Sequence, residues 1–285
     1  MSGSSAGQGG DGWRALGASV RGTHHVRRGL PNQDALACRP VVGGGPDVSL
    51  AVADGHGSAR HFRSGAGAAL AAEIAADFLL AQAGAPTLDW SGVHRLSAQH
   101  WPDALARRWT EAVCAHLAGH PLDDQERARA DADGADAPTV YGTTLLGVLA
   151  TPHFLVHLQI GDGDMLAVSE EGEVSRPLPP DPRCLGVSTS SLCAPGARHQ
   201  FRVRFQALAG PPPALLLAAT DGYGVSFTTE ASFTQAGADF LGLLRAEGPD
   251  AVQARLPDWL RETSEAGSGD DVTVGLLYRP SALSR

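Results

Sequence analysis

Residues 49–57 read SLAVADGHG, an apolar run that ends in an aspartate and a glycine. A short apolar run of this kind predicts a buried β-strand. The carboxylate of Asp54 should therefore emerge at the strand end, where glycine lets the backbone approach a ligand. Residues 215–224, LLLAATDGYG, repeat the arrangement around Asp221. Because Asp-Gly is also a common turn former, either stretch alone leaves a simple turn as the alternative.

The segments around these two runs predict helices that fall in pairs among groups of strands. Apolar residues at helical spacing predict helices near residues 60–80, 101–117, 233–244 and 252–260. Further strands are predicted at residues 16–20, 35–39, 143–150, 154–160, 165–169, 199–205 and 272–278. The three strands between residues 143 and 169 should form an antiparallel meander. This grouping favours an α+β fold over a doubly wound sheet.

The length and composition predict one folded domain with short tails. Hydrophobic residues make up 43% of the 285-residue chain, which is enough for a packed core. We expect a disordered tail at residues 1–13, a single domain at 14–280 and a second tail at 281–285. Residues 120–138 carry many charges and almost no large apolar side chain, which predicts a mobile loop inside the domain.

The composition also argues against several classes of partner. A net charge of −9 and the absence of lysine argue against sequence-independent binding of nucleic acid. We identify no secretory signal and no apolar run of membrane-spanning length, so we expect a cytoplasmic protein without a membrane partner. The four cysteines form no CxxC pair and are expected to be reduced, with a Cys184–Cys193 disulfide as the alternative.

Aspartates also stand beside predicted strands at Asp34 and at the pair Asp270-Asp271. In chain order the motifs are GTHHVRRGLPNQDA (22–35), VADGHG (52–57), YGTT (141–144), IGDGD (160–164), ATDGYG (219–224) and DDVTV (270–274). This series resembles the motifs of the type 2C metal-dependent protein phosphatases of bacterial type, the PPM family, over most of the chain. The resemblance implies an antiparallel β-sandwich flanked on both faces by helix pairs, a four-layer αββα arrangement with metals in a cleft at one end.

The resemblance implies a metal site built largely from the aspartates. The implied metal-site residues are Asp34, Asp54, Gly55, Asp162, Asp221 and Asp270. Asp54 would bridge two Mn²⁺ or Mg²⁺ ions, and Asp34 would orient metal-bound water. Asp162 would hold a weaker third ion, with a turn-forming role for GDGD as the alternative. Two such ions can activate a bridging water for attack on a phosphate ester.

Two further residues are candidates for catalysis and substrate binding. His56 resembles the general acid of the family, which would protonate the leaving oxygen, and the alternative is a loop histidine that caps the following helix. Many relatives have a phosphate-binding arginine five residues before the equivalent of Asp34, where this chain has Gly29. Arg28 is therefore the candidate for phosphate recognition, with a solvated surface arginine as the alternative. Gln33 stands where relatives commonly have a glutamate.

The predicted function is that of a serine/threonine protein phosphatase in signalling. It would act as a monomer on phosphorylated proteins and oppose a Ser/Thr kinase. Gln33 and the shifted arginine leave open a catalytically weak phosphatase-like domain that binds a phosphoprotein or regulates a kinase. A zinc hydrolase that uses His24, His25, His56 and His61 is disfavoured, because their spacing does not place the ligands on one helical face.

Overall fold

The structure is a computed structural model that describes residues 12–84, 90–184 and 189–284. The strands are β1 Trp13–Val20, β2 Asp34–Arg39, β3 Gly44–Gly45, β4 Val48–Asp54, β5 Leu145–Ala150, β6 Phe154–Ile160, β7 Asp164–Val168, β8 Val174–Ser175, β9 Arg202–Ala207, β10 Leu215–Ala219 and β11 Val272–Tyr278. The helices are α1 Thr23–Arg28, α2 Ser64–Ala83, α3 Trp90–Gln99, α4 Trp101–Gly119, α5 Asp124–Asp133, α6 Ala137–Val140, α7 Asp221–Gly224, α8 Glu230–Glu247 and α9 Pro249–Ala266. Short 3₁₀ turns lie at Ala59–His61, Ala197–His199 and Pro280–Leu283.

The strands form two antiparallel sheets that pack face to face. Sheet 1 has the order β3-β1-β11-β10-β7-β8, and sheet 2 has the order β2-β4-β5-β6-β9. Side chains such as Leu50 fill the space between the sheets. On the outside, α2, α3 and α4 cover sheet 2 through residues such as Trp109, while α8 and α9 cover sheet 1 through Phe240 and Leu256. The predicted four-layer α+β sandwich is therefore confirmed.

Strand β4 shows how the sequence builds these layers. Successive side chains of a strand point to opposite faces. Leu50 and Val52 enter the core between the sheets, whereas Ala51 and Ala53 face the helices. The small side chains on the helix face meet the alanine-rich helix α2, so helix and sheet can approach closely. Because both faces are covered, β4 is apolar throughout and delivers Asp54 at its end.

The predicted meander is wrong in its third strand. β5 and β6 pair with each other in sheet 2, but β7 pairs with β10 in sheet 1. The IGDGD segment is the crossover between the sheets. Gly161 has a φ of 111°, and a Cβ atom at Gly163 would lie 2.7 Å from the carbonyl oxygen of Ala219. The two glycines thus permit a change of sheet that a local sequence pattern does not reveal.

The prediction of a loop at residues 120–138 is wrong. Helix α5 begins with a capping box, in which the Asp123 carboxylate accepts from the Glu126 N–H and the Glu126 carboxylate accepts from the Asp123 N–H. The Glu126 carboxylate also pairs with the Arg63 guanidinium at 2.6 Å, and Ala130 is buried. Capping and one ion pair to a distant arginine therefore organise a segment that lacks large apolar side chains.

The predicted ends of the domain need adjustment. Residues 1–11 lie outside the described part of the chain, but Trp13, expected in the tail, begins β1 and is buried. At the other end Ala282 is buried in the core beneath α8 and α9 and Leu283 packs against it, so the expected tail at 281–285 is packed at these two residues. We predicted no segment of membrane-spanning length, but helix α2 has the length and composition of such a segment. Half of its apolar stretch is buried inside the protein, as in a core helix.

Candidate active site

A cleft of about 470 Å³ opens at one end of the sandwich. The side chains of Asp54, Asp162, Asp221 and Asp270 line it, together with His56 and His61. These carboxylates come from the end of β4, the crossover before β7, the start of α7 after β10, and the turn before β11. In sheet 1 the end of β10 lies beside the starts of its antiparallel neighbours β7 and β11. The end of β4 belongs to sheet 2 and joins them because the two sheets pack face to face. The structure thus brings together four of the five aspartates that the sequence predicted.

The YGTT segment holds the end of β4 in place. The Asp54 N–H donates to the Thr144 hydroxyl at 3.1 Å. The Asp54 carbonyl accepts from the Thr143 hydroxyl and the Thr144 N–H, each at 2.8 Å. A Cβ atom at Gly55 would lie 2.6 Å from the carbonyl oxygen of Gln33, so no other residue fits without a shift of the backbone. The backbone after Asp54 is therefore fixed before any ligand binds.

Burial and neighbouring negative charges both raise the pKa values of carboxylates in the cleft. Burial raises the pKa of Asp54 well above its usual value, and the charges of Asp34, Asp221 and Asp270 raise it further. Burial also raises the pKa of Asp221, with Asp162 and Asp270 adding to the rise and a hydrogen bond with Asp54 opposing it. Clustered carboxylates that repel one another are the donor set that hard divalent cations prefer. The residues present therefore fit such ions.

Asp34 stands beside this cluster and is not part of the lining. It pairs with Asp54 in the register of β2 and β4. One of its carboxylate oxygens, Oδ2, accepts from the hydroxyls of Thr220 and Thr273, each at 2.8 Å. Burial raises the pKa of Asp34 well above its usual value despite these two hydrogen bonds. Its predicted role toward metal-bound water stays a prediction.

His56 forms a pair with a second histidine that the sequence did not place at the site. The ring centroids of His56 and His61 lie 4.9 Å apart. Burial lowers the pKa of His56 to about 4, and His61 contributes to the decrease. The pair packs against Gly142, where a Cβ atom would lie 2.5 Å from His61 Nδ1 and 2.9 Å from a His56 ring carbon. The glycine of YGTT thus makes room for both rings.

Another wall of the cleft is formed by small polar side chains that sequence analysis missed. Thr189, Ser191 and Cys193 line the cleft. The Ser191 hydroxyl donates to the Thr143 carbonyl at 3.1 Å, and the Leu192 N–H donates to the same oxygen at 2.9 Å. All four cysteines are free thiols in the structure, so the alternative Cys184–Cys193 disulfide is not formed there. No local pattern marks this segment, which is held at the cleft by YGTT and by the Gly161 N–H, which donates to the Ser190 hydroxyl at 2.8 Å.

Arg28 is a predicted site residue that, unlike Asp34, does not stand beside the cleft carboxylates. It lies in the last turn of α1, where its side chain is exposed, and it is not among the residues that line the cleft. The helix ends at Gly29, which has a left-handed conformation with a φ of 68°. The structure therefore offers no support for phosphate recognition by Arg28.

Asp271, adjacent to a cleft residue, holds a buried network that we call the Asp271 network. Its Oδ1 atom accepts from the Gly22 N–H at 2.6 Å, and its Oδ2 atom accepts from the Gln33 N–H at 2.6 Å. The Asp271 Oδ2 atom also lies 2.8 Å from His25 Nδ1. These bonds tie both ends of the segment from GTHH to NQD to the start of β11. His25 therefore has a structural hydrogen bond, and Gln33 is held mainly through its backbone.

Comparisons with known proteins agree with this architecture. Residues 21–261 match the family model of protein phosphatase 2C. A bacterial serine phosphatase superposes with a TM-score of 0.57 at 16% identity, covering 93% of this chain and 97% of that chain. The catalytic domain of the serine/threonine protein phosphatase PstP, in complex with two manganese ions, has a TM-score of 0.53 at 18% identity, covering 94% and 98%.

PppA, a regulatory component of the T6SS in Pseudomonas aeruginosa, has a TM-score of 0.54 at 18% identity, covering 94% of this chain and 97% of that chain. At such low identities these likenesses show the fold alone. None of the curated protein sequences matches the chain with significance. The relation therefore rests on the family match and on the shared fold.

Proposed function

Because this chain belongs to the protein phosphatase 2C family of phosphoprotein phosphatases, we propose that it hydrolyses phosphoserine and phosphothreonine in proteins with the help of two divalent cations. One observation carries the proposal: Asp54, Asp162, Asp221 and Asp270 converge from separate parts of the chain on one cleft beside His56. A binding module would not need this set of carboxylates, because clustered charges are costly to keep without cations.

The cleft is suited to Mn²⁺ or Mg²⁺. The carboxylates of Asp54, Asp221 and Asp270 and the carbonyl of Gly55 would hold two ions, and Asp162 would hold a weaker third. When bound, such ions lower the pKa of water and neutralise charge on the phosphoryl oxygens. Their charge would also offset the burial and repulsion that raise the pKa values of Asp54 and Asp221. The two manganese ions of the PstP structure support this choice of metal.

His56 would hold the proton that the leaving serine or threonine oxygen receives. With a pKa of about 4, the ring is neutral near pH 7 before the substrate binds. A phosphate dianion beside the ring favours its protonated form, because opposite charges stabilise each other. The packing of His61 and Gly142 against His56 limits where the ring can lie. The chain thus supplies a positioned imidazole for proton transfer to the leaving oxygen.

The substrate class and the kinase partner follow from this chemistry. A phosphorylated protein is the substrate, and a Ser/Thr kinase that adds the phosphate is the opposing enzyme. The regulatory role described for PppA supports a place in signalling. Action as a monomer in the cytoplasm remains a prediction.

The test is hydrolysis of phosphoserine and phosphothreonine peptides by the full chain. We expect release of inorganic phosphate with Mn²⁺ or Mg²⁺, loss of activity in excess EDTA and recovery when the metal is restored. Full activity in excess EDTA would contradict the proposal. Tight peptide binding without turnover at any metal concentration would instead identify the catalytically weak binding module.

A further inference from the structure

The turn Ala59–His61 places an arginine at the rim of the cleft. Its neighbours Ser58 and His61 both line the cleft, whereas the side chain of Arg60 is exposed. The turn is closed by the His61 N–H, which donates to the Ser58 carbonyl at 2.9 Å. His61 is also anchored through Nδ1, which lies 2.5 Å from the Thr139 carbonyl oxygen. The backbone of Arg60 is therefore fixed beside the cleft, and its long side chain is free to reorient.

The positive charge of Arg60 affects the pKa values of two residues that line the cleft. Burial lowers the pKa of His61, and the positive charge of Arg60 lowers it further. Burial raises the pKa of the Cys193 thiol, and Arg60 opposes that increase. His61 and Cys193 come from separate segments that both line the cleft. The guanidinium thus lies within electrostatic range of the opening from two sides.

Arg60 also has no partner that would compete with a ligand. Within residues 12–84, 90–184 and 189–284 no acidic side chain forms an ion pair with it. Arg63, three residues later, is by contrast committed to Glu126, Tyr141 and two backbone carbonyls. A guanidinium without a partner at the mouth of a cleft is available for an anion.

The cleft itself lacks a cation for the phosphate. Four aspartates line it, and none of its described lining residues is an arginine. Two divalent ions would be needed to balance those carboxylates, so a phosphate dianion would gain from a further positive charge. Arg28, the residue that the sequence favoured, lies outside the lining. Arg60 is also not a lining residue itself, but it stands between two lining residues, Ser58 and His61.

We propose that Arg60 binds the phosphate group of the incoming substrate at the rim of the cleft. The planar guanidinium fork can donate two parallel hydrogen bonds to phosphoryl oxygens. This inference rests on the proposed function and names the residue that recognises the phosphate. Arg60 would act in binding, so its loss should affect KM and phosphate affinity more than kcat.

The experiment compares Arg60→Ala, Arg60→Lys and the matched control Arg28→Ala in the full chain with Mn²⁺. Calorimetry gives the dissociation constant of inorganic phosphate, and steady-state kinetics give KM and kcat for a phosphoserine peptide. We expect Arg60→Ala to raise the phosphate dissociation constant and the KM by roughly tenfold. Arg60→Lys should retain part of the affinity, and Arg28→Ala should match the wild type. Thermal unfolding should be unchanged, because Arg60 is exposed.

Wild-type phosphate affinity in Arg60→Ala would overturn the inference, as would an equal or larger loss in Arg28→Ala. Absence of phosphate binding by the wild-type chain would overturn it as well. If the wild type binds phosphate but releases none from peptides, the proposed function fails. In that case the comparison of phosphate affinities still decides the role of Arg60.

Discussion

Asp270 and Asp271 are neighbours in the chain but belong to two regions with opposite electrostatic character. The side chain of Asp270 is 56% exposed and lines the cleft, where other carboxylates surround it. The side chain of Asp271 is 3% exposed and lies in the Asp271 network, where three donor groups surround it. A carboxylate whose hydrogen bonds are satisfied by the protein stabilises the fold, whereas a group of carboxylates that face one another with few donors is suited to cations.

The same contrast recurs in the IGDGD motif. Asp162 lines the cleft, while Asp164, two residues later, pairs with the Arg176 guanidinium. Burial raises the pKa of Asp164, and the charge and hydrogen bond of Arg176 oppose that increase. Arg176 also binds Glu230 at 2.8 Å, which connects the segment after β7 to the start of α8. Acidic residues that look alike in the sequence are thus divided between a cleft and structural ion pairs.

The largest expected effect concerns the carboxylates that line the cleft. Asp54→Asn and Asp221→Asn should each lower kcat/KM for a phosphoserine peptide by at least about a hundredfold, because each removes charge that holds a cation. Without metal the variants should be as stable as the wild type or slightly more stable, since one repelling charge is gone. Steady-state kinetics in Mn²⁺ and thermal unfolding in EDTA measure both effects. Near wild-type turnover in either variant would reject the assigned metal site.

The second prediction tests the Asp271 network with a matched pair of variants. Asp271→Ala leaves the buried N–H groups of Gly22 and Gln33 and the ring of His25 without their acceptor, and should lower the free energy of unfolding by about 3 kcal/mol. Asp270→Ala removes an exposed carboxylate and should lower it by less than about 1 kcal/mol. Urea unfolding in EDTA compares the two variants. Equal losses would show that the two aspartates are not divided as the structure indicates.

The third prediction uses a buried group that, unlike His25, has no partner. His157 on β6 is 1% exposed, and neither ring nitrogen has a hydrogen-bond partner among the described residues. Burial lowers the pKa of His157 to about 3, and the charge of Arg204 contributes. The unfolded chain therefore takes up this proton near pH 6.5 and the folded chain only near pH 3, so stability falls as the pH decreases between these values.

Because the unfolded chain is protonated at His157 before the folded chain, the free energy of unfolding should fall by about 2 kcal/mol between neutral pH and about pH 5. His157→Leu should abolish that part of the pH dependence, whereas a control substitution at the exposed His100, His100→Gln, should preserve it. Urea unfolding near pH 7 and about pH 5 provides the free energies. An unchanged pH dependence in His157→Leu would show that the ring has access to water or to a donor.

The smallest expected effect concerns Gln33, which lies between the two regions. Its N–H belongs to the Asp271 network, while its Oε1 atom is buried without a hydrogen-bond partner in the described structure. Gln33→Glu should tighten Mn²⁺ binding by roughly tenfold, because it adds a negative charge near Asp54. It should also lower stability in EDTA, since a buried carboxylate lacks a donor.

Calorimetric titration with Mn²⁺ and urea unfolding in EDTA measure these two effects of Gln33→Glu. Gln235→Glu, on the exposed surface of α8, adds the same charge outside the cleft and is the control. Unchanged Mn²⁺ affinity in Gln33→Glu would place Gln33 outside the electrostatic range of the metal site.

Local patterns predicted most of the strands and helices. Together with the family resemblance they predicted five residues of the cleft, the four lining aspartates and His56. The prediction of a strand at residues 272–278 agrees with the bounds of β11, and the apolar runs before Asp54 and Asp221 are β4 and β10. These signals are reliable because a strand covered on both faces must be apolar throughout, and because Asp-Gly is compatible with the turn that follows it. The convergence of the carboxylates needs the tertiary structure as well, because Asp54 comes from sheet 2 and the other three aspartates come from sheet 1 or its connections.

The sequence by itself therefore determined most helices and strands, the strand ends and the acidic character of the site, since each depends on residues that are close in the chain. Only the tertiary structure decided that Asp271 is a structural acceptor, that α5 is held by Arg63, and that Arg28 lies outside the lining of the cleft. The physical reason is the same in each case. The role of a charged side chain is set by the donors, acceptors and charges that surround it, and these come from segments far away in the sequence.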